Sequence, residues 1–402
     1  MKILILNSGS SSQKSCLYEI TEMLPHPITP VWEAQIDWTH QQGKAELKVK
    51  TKGGETQQQS WVSTSRLNDT IAMLETLWQG VHQVIDSPRD ISVVGHRVVH
   101  GGQDYQNSVV ITSEVKAAIA RLASFAPIHN PINLEGITAI EQIFGDVSQV
   151  AVFDTAFHSH LPPPAYIYSG DYNWTKQGIR RYGFHGISHE YCVNRAAQIL
   201  DRNLKDLRLI NCHLGNGCSL AAVKVGKSFD TTMGFTPLEG LMMGTRSGSI
   251  DPGILIYLLR AGNYNLDQLE QLLNKGSGLL GISGISGDMR QIIEAIAQGN
   301  ERAKLAMDIY IHRLRSAIGA MLASLEGLDV LIFTAGVGEN SPLIREATCK
   351  AFAFLGLEID LEKNLRSPVD QDISTPESTV RVLVIHTQED WEIARECWNL
   401  LA

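Results

Sequence analysis

The sequence predicts an α/β protein of two duplicated halves, and three observations carry that expectation. A chain of 402 residues, 44% hydrophobic, can bury more core than one domain of common size holds. Short apolar strands alternate with segments of helical spacing along its length. A unit of strand, small-residue turn and strand occurs twice, at 2–20 and at 207–225, near the start of each half.

Composition narrows the function. The formal net charge of −9 argues against a nucleic-acid or membrane-surface partner, which would need a basic face. Anionic ligands would then be drawn by local cations against the overall field. Six cysteines without a CxxC pair and thirteen histidines without an HExxH pattern give no zinc spacing. Any metal is expected to be magnesium arriving with a nucleotide. The sequence opens with only Lys2 before a short apolar run, Ile3 to Leu6, and no later segment reaches membrane-spanning length. The expected location is the cytoplasm.

In chain order, Lys2 to Leu6 reads as a strand, Asn7 to Lys14 as a turn, and Ser15 to Ile20 as a second strand. The turn is not a Walker A loop, because it joins two strands and not a strand to a helix. Its Asn7 amide, Ser10 and Ser12 hydroxyls and Lys14 ammonium suit phosphate oxygens and metal-bound waters. Leu67 to Val84 has helical spacing through Ile71, Leu74, Trp78 and Val81. A strand over Ile91 to Val94 leads to Gly95–Gly102, which sets Arg97 between His96 and His100. After the break at Pro127–Pro131 comes a helix over Asn133 to Phe144, then a strand over Gln149 to Phe153. Asp154 lies at that strand's carboxyl end, where open α/β sheets gather ligand-binding side chains. Leu161 to Pro164 reads as an extended bend marking the passage between domains, and His185 sits between Phe184 and Gly186 ahead of a helix.

The second half repeats the first. Strands over Leu207 to Cys212 and Leu220 to Val225 enclose a Gly/Asn/Ser turn, His213 to Ser219. Thr236 to Gly253 places Arg246 in a loop bracketed by Gly240, Gly244 and Gly248. That loop ends at Asp251-Pro252, a helix cap followed by proline at the first helical position. A fixed guanidinium, permissive backbone and a helix start favour an anion, phosphate above all. Gly276 to Gly287 is another glycine-serine loop, ending at a helix start over Asp288 to Arg290. The long helix after it carries an apolar stripe from Ala303 to Leu325 that reads as core or subunit interface. Val330 to Thr334 is a buried strand whose glycine turn opens a helix at Ser341-Pro342. Val382 to Ile385 is the last strand, and Thr387 with Asp390 reads as a capping box that leaves Glu389 free.

Together the stretches Asn7–Lys14, Gly95–Gly102, Pro127–Pro131, Phe153–Phe157, Arg181–Gly186, His213–Gly217, Thr236–Gly248, Ser277–Gly284 and Phe333–Ser341 resemble the acetate kinase family. That family belongs with actin, the sugar kinases and the heat-shock chaperone ATPases, and the likeness spans essentially the whole chain. It implies two duplicated actin/ribonuclease-H-like α/β domains, mixed sheets flanked by helices, with a cleft between them. The first domain would be 1–155 plus 385–402, on the acetate and phosphate side; the second, 156–384, would bind nucleotide and form a homodimer. The implied reaction is reversible transfer of the ATP γ-phosphoryl group to acetate, giving acetyl phosphate and ADP, with Mg2+ or Mn2+.

By position in the family, Arg97, Asp154, His185 and Arg246 would be catalytic, and Asn7 and Glu389 would serve the metal. Arg97, Val99, Ile128, Phe184 and Pro237 would take acetate. Ser10, Ser12, Lys14, His213, Leu214, Gly215, Asn216 and Gly217 would line the phosphate path. Asp288, Met289, Arg290, Gly336, Val337, Gly338, Glu339 and Asn340 would hold the adenosine. Ser249 stands where the family commonly has Asp, which bears on how Arg246 is oriented. Ser286-Gly-Asp288 and Gln388-Glu-Asp390 replace Ser-Ser-Asp and Asn-Glu-Glu.

Acetate is already ionised at neutral pH and needs no base. The obstacle is bringing a carboxylate up to a polyanion, which two arginines and a divalent cation meet by neutralisation and in-line alignment. A double displacement through phospho-Glu389 is the mechanistic rival; it would retain configuration at phosphorus where one displacement inverts it. A propionate or butyrate kinase would share every motif, since a methylene is worth only about 1–3 kcal/mol in an apolar pocket. A nucleotide-switched binding protein of the actin or chaperone kind is the reading from another class, and it has less use for the arginine pair.

Overall fold

The computed structural model describes residues 1–9, 12–39, 41, 43–54, 56–80 and 83–402. Ser10 and Val81, both named above, lie outside them. The chain forms two compact units, Met1–Ala156 with Gln388–Ala402, and Phe157–Thr387. The crossings thus fall one and three residues beyond those read from sequence. Among the described residues no helix is long and apolar enough to cross a membrane.

The first unit is built on an eight-stranded mixed sheet. Its strands are β1 (Lys2–Ser8), β2 (Ser12–Glu19), β3 (Trp32–Asp37), β4 (Lys44–Thr51), β5 (Thr56–Val62), β6 (Val93–Val98), β7 (Val109–Val110) and β8 (Ser148–Phe153). They lie in the order β5-β4-β3-β2-β1-β6-β8-β7. β6 runs parallel to both β1 and β8, and the other pairs are antiparallel. One layer of core joins Leu4, Leu6, Leu17, Trp32, Ile36 and Val49 to Met73, Leu74 and Ile140 from helices Arg66–Glu75 and Asn130–Phe144. The C-terminal helix Glu389–Leu401 returns to the same unit, burying Trp391, Ile393, Ala394 and Cys397. Gly95 permits that approach: a Cβ there would stand 2.6 Å from Cys397 Sγ and 2.7 Å from Ile393 Cγ2.

The second unit repeats the plan. Its strands are β9 (Arg208–Leu214), β10 (Cys218–Lys224), β11 (Lys227–Thr231), β12 (Val330–Thr334), β13 (Gln371–Asp372) and β14 (Arg381–Val384), in the order β11-β10-β9-β12-β14-β13. Here too the first three strands are antiparallel, β12 is parallel to β9 and β14, and the edge strand is antiparallel. The duplication read from two hairpins therefore extends to six strands of each sheet, β3-β2-β1-β6-β8-β7 matching β11-β10-β9-β12-β14-β13. Helix Glu301–Leu325 buries Ala303, Ile311, Leu314, Ile318, Met321 and Leu325, so most of its predicted stripe is core; Met307 is half-buried.

Several element boundaries differ from expectation. Asn7 and Lys14 are not in a turn but face each other as a register pair of β1 and β2. The first helix stops at Glu75, because Thr76, Leu77 and Trp78 turn their N–H groups to carbonyls three residues back and Gly80 takes φ 87°. Trp78 keeps its apolar role by packing on Phe144 at 5.7 Å. β6 runs on to Val98, so Arg97 is a strand residue held opposite Val152. Helix Asn130–Phe144 begins three residues early, with Pro131 in its first turn where no N–H is needed. Pro163–Tyr166 forms a helical turn in place of an extended bend. The glycine-serine loop contains a helix, Gly278–Ser283, and the turn after β12 is itself the helix Ala335–Asn340. The box at Thr387 and Asp390 does not form: Gln388 caps the last helix without a side-chain bond, and both expected partners are engaged elsewhere.

Candidate active site

In the first unit Arg97 is the centre of a half-buried charge cluster in which Asp154 is fully buried. Its Nε and Nη2 both donate to Asp154 Oδ2, at 3.1 and 2.5 Å, and its Nη1 donates to Asn7 Oδ1 at 3.4 Å. Asn7 Nδ2 in turn donates to Glu389 Oε2 at 3.3 Å and Asp390 Oδ1 at 3.2 Å. Burial would lower the Arg97 pKa, but Asp154 and Glu389 outweigh it and raise it. Burial raises both Glu389 and Asp390 above the usual carboxyl range, with Arg97 opposing the shift at Glu389. Cys16 Sγ donates to Asp390 Oδ2 at 3.5 Å. Three acids thus share one half-buried guanidinium, and exposed Lys14 acts on two of them, Glu389 and Asp390.

This cluster fits a hard divalent cation. Among the described residues Asp154 Oδ1, which is buried, has no hydrogen-bond partner, and the cluster's free donor atoms are oxygens. Among the described residues no group of three or more His, Cys, Asp and Glu cages a metal. One or two carboxylates completed by phosphate and water is the arrangement magnesium prefers. The segment after Arg97 is held by two residues that sequence reading missed. Asn133 Oδ1 accepts from the Val99 N–H at 3.1 Å, and the Asn130 amide bonds both the N–H and the carbonyl of His100. Their signal was only the Asn130-Pro131 break. Val99 is buried and Ile128 is 46% exposed. Ser12, at the start of β2, accepts the Gly9 N–H through its carbonyl.

In the second unit His185 precedes helix Gly186–Ile199 with φ 56°, the left-handed region that a non-glycine residue rarely enters. Its ring stacks on His213, 4.1 Å between centroids, and its Nδ1 lies 2.9 Å from Ser219 Oγ. His213 Nδ1 meets Ser188 Oγ at 2.8 Å. Phe184 is buried, its carbonyl accepting from His158 Nε2 at 3.1 Å.

Arg246 is half-buried and, among the described residues, is paired with no carboxylate. Its Nη1 donates to the Pro237 carbonyl at 3.3 Å and lies 4.0 Å from Met243 Sδ. Desolvation lowers its pKa. Ser249 takes no part in this: its Oγ accepts the Gly240 N–H at 3.0 Å and closes the loop on itself. Gly248, at φ 69°, has no room for a side chain, since a Cβ would stand 2.3 Å from the Leu241 carbonyl. The loop ends as expected, with Asp251 capping helix Pro252–Arg260. A methyl placed on Gly217 would be 3.4 Å from both Arg246 Nη1 and His185 Nε2, so those two groups flank one point of the His213–Ser219 turn.

The same turn walls a cavity of about 760 Å³. Gly215, Asn216, Asp288, Met289, Arg290, Gly336, Val337 and Asn340 line it, joined by Gly287, Ile293 and Ser341, which sequence reading did not name. Asp288 caps helix Met289–Ala297 and pairs with Arg290 Nη2 at 2.5 Å. Leu214, Gly217 and Gly338 are not in the lining, nor is Glu339. The Glu339 carboxylate instead accepts the Ala335 and Thr387 N–H groups and meets His386 Nδ1 at 2.6 Å, bracing the loop from outside. Buried Arg345 completes the brace by donating to the carbonyls of Gly338, Glu339 and Asn364.

Residues 2–395 match the model of the acetokinase family. The chain is 66% identical over 402 residues to an acetate kinase of Cyanothece sp., covering 100% of this chain and 98% of the relative. Among solved structures it resembles Porphyromonas gingivalis acetate kinase, with a TM-score of 0.92 at 41% identity and all of both chains covered. It also resembles a propionate kinase from Francisella tularensis, at 0.89 and 39%, with 98% of each covered. These matches run the length of the sequence and include the segments that carry the Arg97 cluster, the Arg246 loop and the cavity, so the chain belongs to the acetokinase family.

Proposed function

We propose that this protein catalyses reversible phosphoryl transfer from ATP to acetate, in the cytoplasm. The observation that carries the reading is Arg246: a half-buried cation with no carboxylate partner among the described residues, flanking Gly217 with His185, on the turn that walls the nucleotide-sized cavity. A cation so placed favours an anionic guest over the empty state. The cavity supports ATP and ADP as co-substrate, with apolar Met289, Ile293 and Val337 for the base and Asn216, Asp288, Arg290 and Asn340 for polar groups.

Asp154, Glu389 and Asn7 are the residues we assign to Mg2+, or Mn2+ in its place, which when bound would neutralise phosphate charge. Arg97 takes the acetate carboxylate, held in orientation by Asp154. Arg246 and the His185 Nε2–H receive charge on the transferred group. Transfer is direct in this reading, because a metal-side role already accounts for the Glu389 carboxylate; inversion at a chiral γ-phosphorus is the expected result, and retention would favour a phospho-Glu389 intermediate. The test is acetyl phosphate formation, trapped as the hydroxamate, from ATP, Mg2+ and acetate. Slow ATP hydrolysis without acyl phosphate would overturn the proposal, and kcat/KM along acetate, propionate and butyrate sets the acyl preference.

The protein acts as a homodimer in this reading. Helix Pro252–Arg260 is almost wholly apolar yet buries no residue; Tyr257 is 68% exposed and Ile256 51%. An apolar helix of this kind calls for cover, and a second copy supplies it. The double variant Ile254→Lys with Tyr257→Lys is expected to sediment as a monomer where the parent is a dimer. A parent that is monomeric at micromolar concentration removes this part of the reading.

A further inference from the structure

We infer that a buried relay of Asn211, His189 and Ser219 fixes the tautomer of His185, so that its Nε2 carries the proton. The inference rests on the reading above for what His185 does, but not for the relay itself. All three relay residues are fully buried. Asn211 lies on β9, Ser219 on β10, and His189 one helical turn after His185.

The polarity follows from the donors. Asn211 Nδ2 donates to His189 Nδ1 at 2.8 Å, and a ring nitrogen that accepts holds no hydrogen. Burial, with the rings of His158 and His213 close by, holds the His189 pKa well below the usual imidazole value, so its ring is neutral and its one proton sits on Nε2. Nε2 donates to Ser219 Oγ at 2.7 Å. The hydroxyl then turns its own hydrogen to its other neighbour, His185 Nδ1, at 2.9 Å. With Nδ1 accepting, the His185 proton is on Nε2, the atom flanking Gly217 beside Arg246. Turning the Asn211 amide round would reverse every step. It would also strand an amino group with two hydrogens where the present arrangement leaves, among the described residues, only the carbonyl Oδ1 without a partner, the smaller loss.

The consequence is chemical. Phosphoryl oxygens only accept, so a bare Nε2 lone pair would repel the group that an N–H stabilises. Asn211, His189 and Ser219 are therefore positioning residues, acting through His185 as an orienting carboxylate acts through the histidine of a hydrolase triad.

The experiment is 15N NMR of histidine-labelled, substrate-free protein, with His185 assigned from a His185→Gln spectrum, beside steady-state kinetics. The parent is expected to show the Nε2–H tautomer alone. Ser219→Ala and His189→Leu are expected to give a tautomer mixture and to lower kcat by about 10- to 100-fold, the scale of outer-shell orienting groups, with KM for ATP nearly unchanged. His189→Gln, whose amide can still donate to Ser219, is expected to retain both the tautomer and most of kcat; it also controls for a leucine variant that fails to fold. An Nδ1–H tautomer in the parent overturns the relay, as does a Ser219→Ala protein with unaltered spectrum and kcat. The spectrum needs no turnover, so a protein that shows these shifts yet makes no acetyl phosphate retains the relay and refutes the function.

Discussion

Replacing Arg246 with alanine is expected to lower kcat by about 10³-fold or more, the scale set by arginines that act on a transferring phosphoryl group. ADP binding and the thermal midpoint should stay close to those of the parent. The reason is the poverty of its present contacts, one backbone carbonyl and one thioether, in a setting where desolvation already disfavours the cation. Among the described residues its removal breaks no ion pair, so the fold loses little while an anionic guest would lose its fixed partner. Arg246→Lys should recover little, because an ammonium is a point charge on a flexible stem and cannot present two parallel donors to a phosphate edge. Hydroxamate kinetics with calorimetric titration of ADP measure both quantities. Turnover within tenfold of the parent would remove Arg246 from the mechanism.

What could be read from the sequence was whatever is local. The Arg246 loop announces itself through glycines at short spacing and through Asp251-Pro252, because capping and permissive backbone are settled within a few residues. The duplicated hairpins are legible for the same reason. Partnerships across the chain are not. Asn7 and Glu389 are 382 residues apart and meet only because the last helix folds back onto β1. The box at Thr387 satisfied a local pattern, yet long-range bonds to Ser188 and Asn7 took both of its members. The relay was hidden differently. Ser219 stands in the apolar run of β10, and periodicity does not distinguish a buried hydroxyl with two partners from an incidental small residue.

Arg97→Ala is the substitution expected to cost the first unit most stability, about 3–5 kcal/mol, the range for uncovering a buried charge. Asp154→Asn should cost markedly less, although it breaks the same ion pair. The asymmetry comes from the charge count around Asn7. Asp154, Glu389 and Asp390 share one half-buried guanidinium, so deleting an acid relieves repulsion, and Arg97 keeps the other two carboxylates nearby. Deleting the arginine leaves three acids with exposed Lys14, among the described residues, as the cation near Glu389 and Asp390. Millimolar Mg2+ should restore part of the Arg97→Ala loss and do less for the parent, because a divalent cation can take the place that the guanidinium leaves. Both variants should be inactive for different reasons, one lacking the carboxylate partner for acetate and the other its orientation. Chemical denaturation of the two variants, with and without Mg2+, decides the matter. If Asp154→Asn proves the less stable protein, the cluster is an ordinary ion pair and not an acid-rich pocket held ready for a cation.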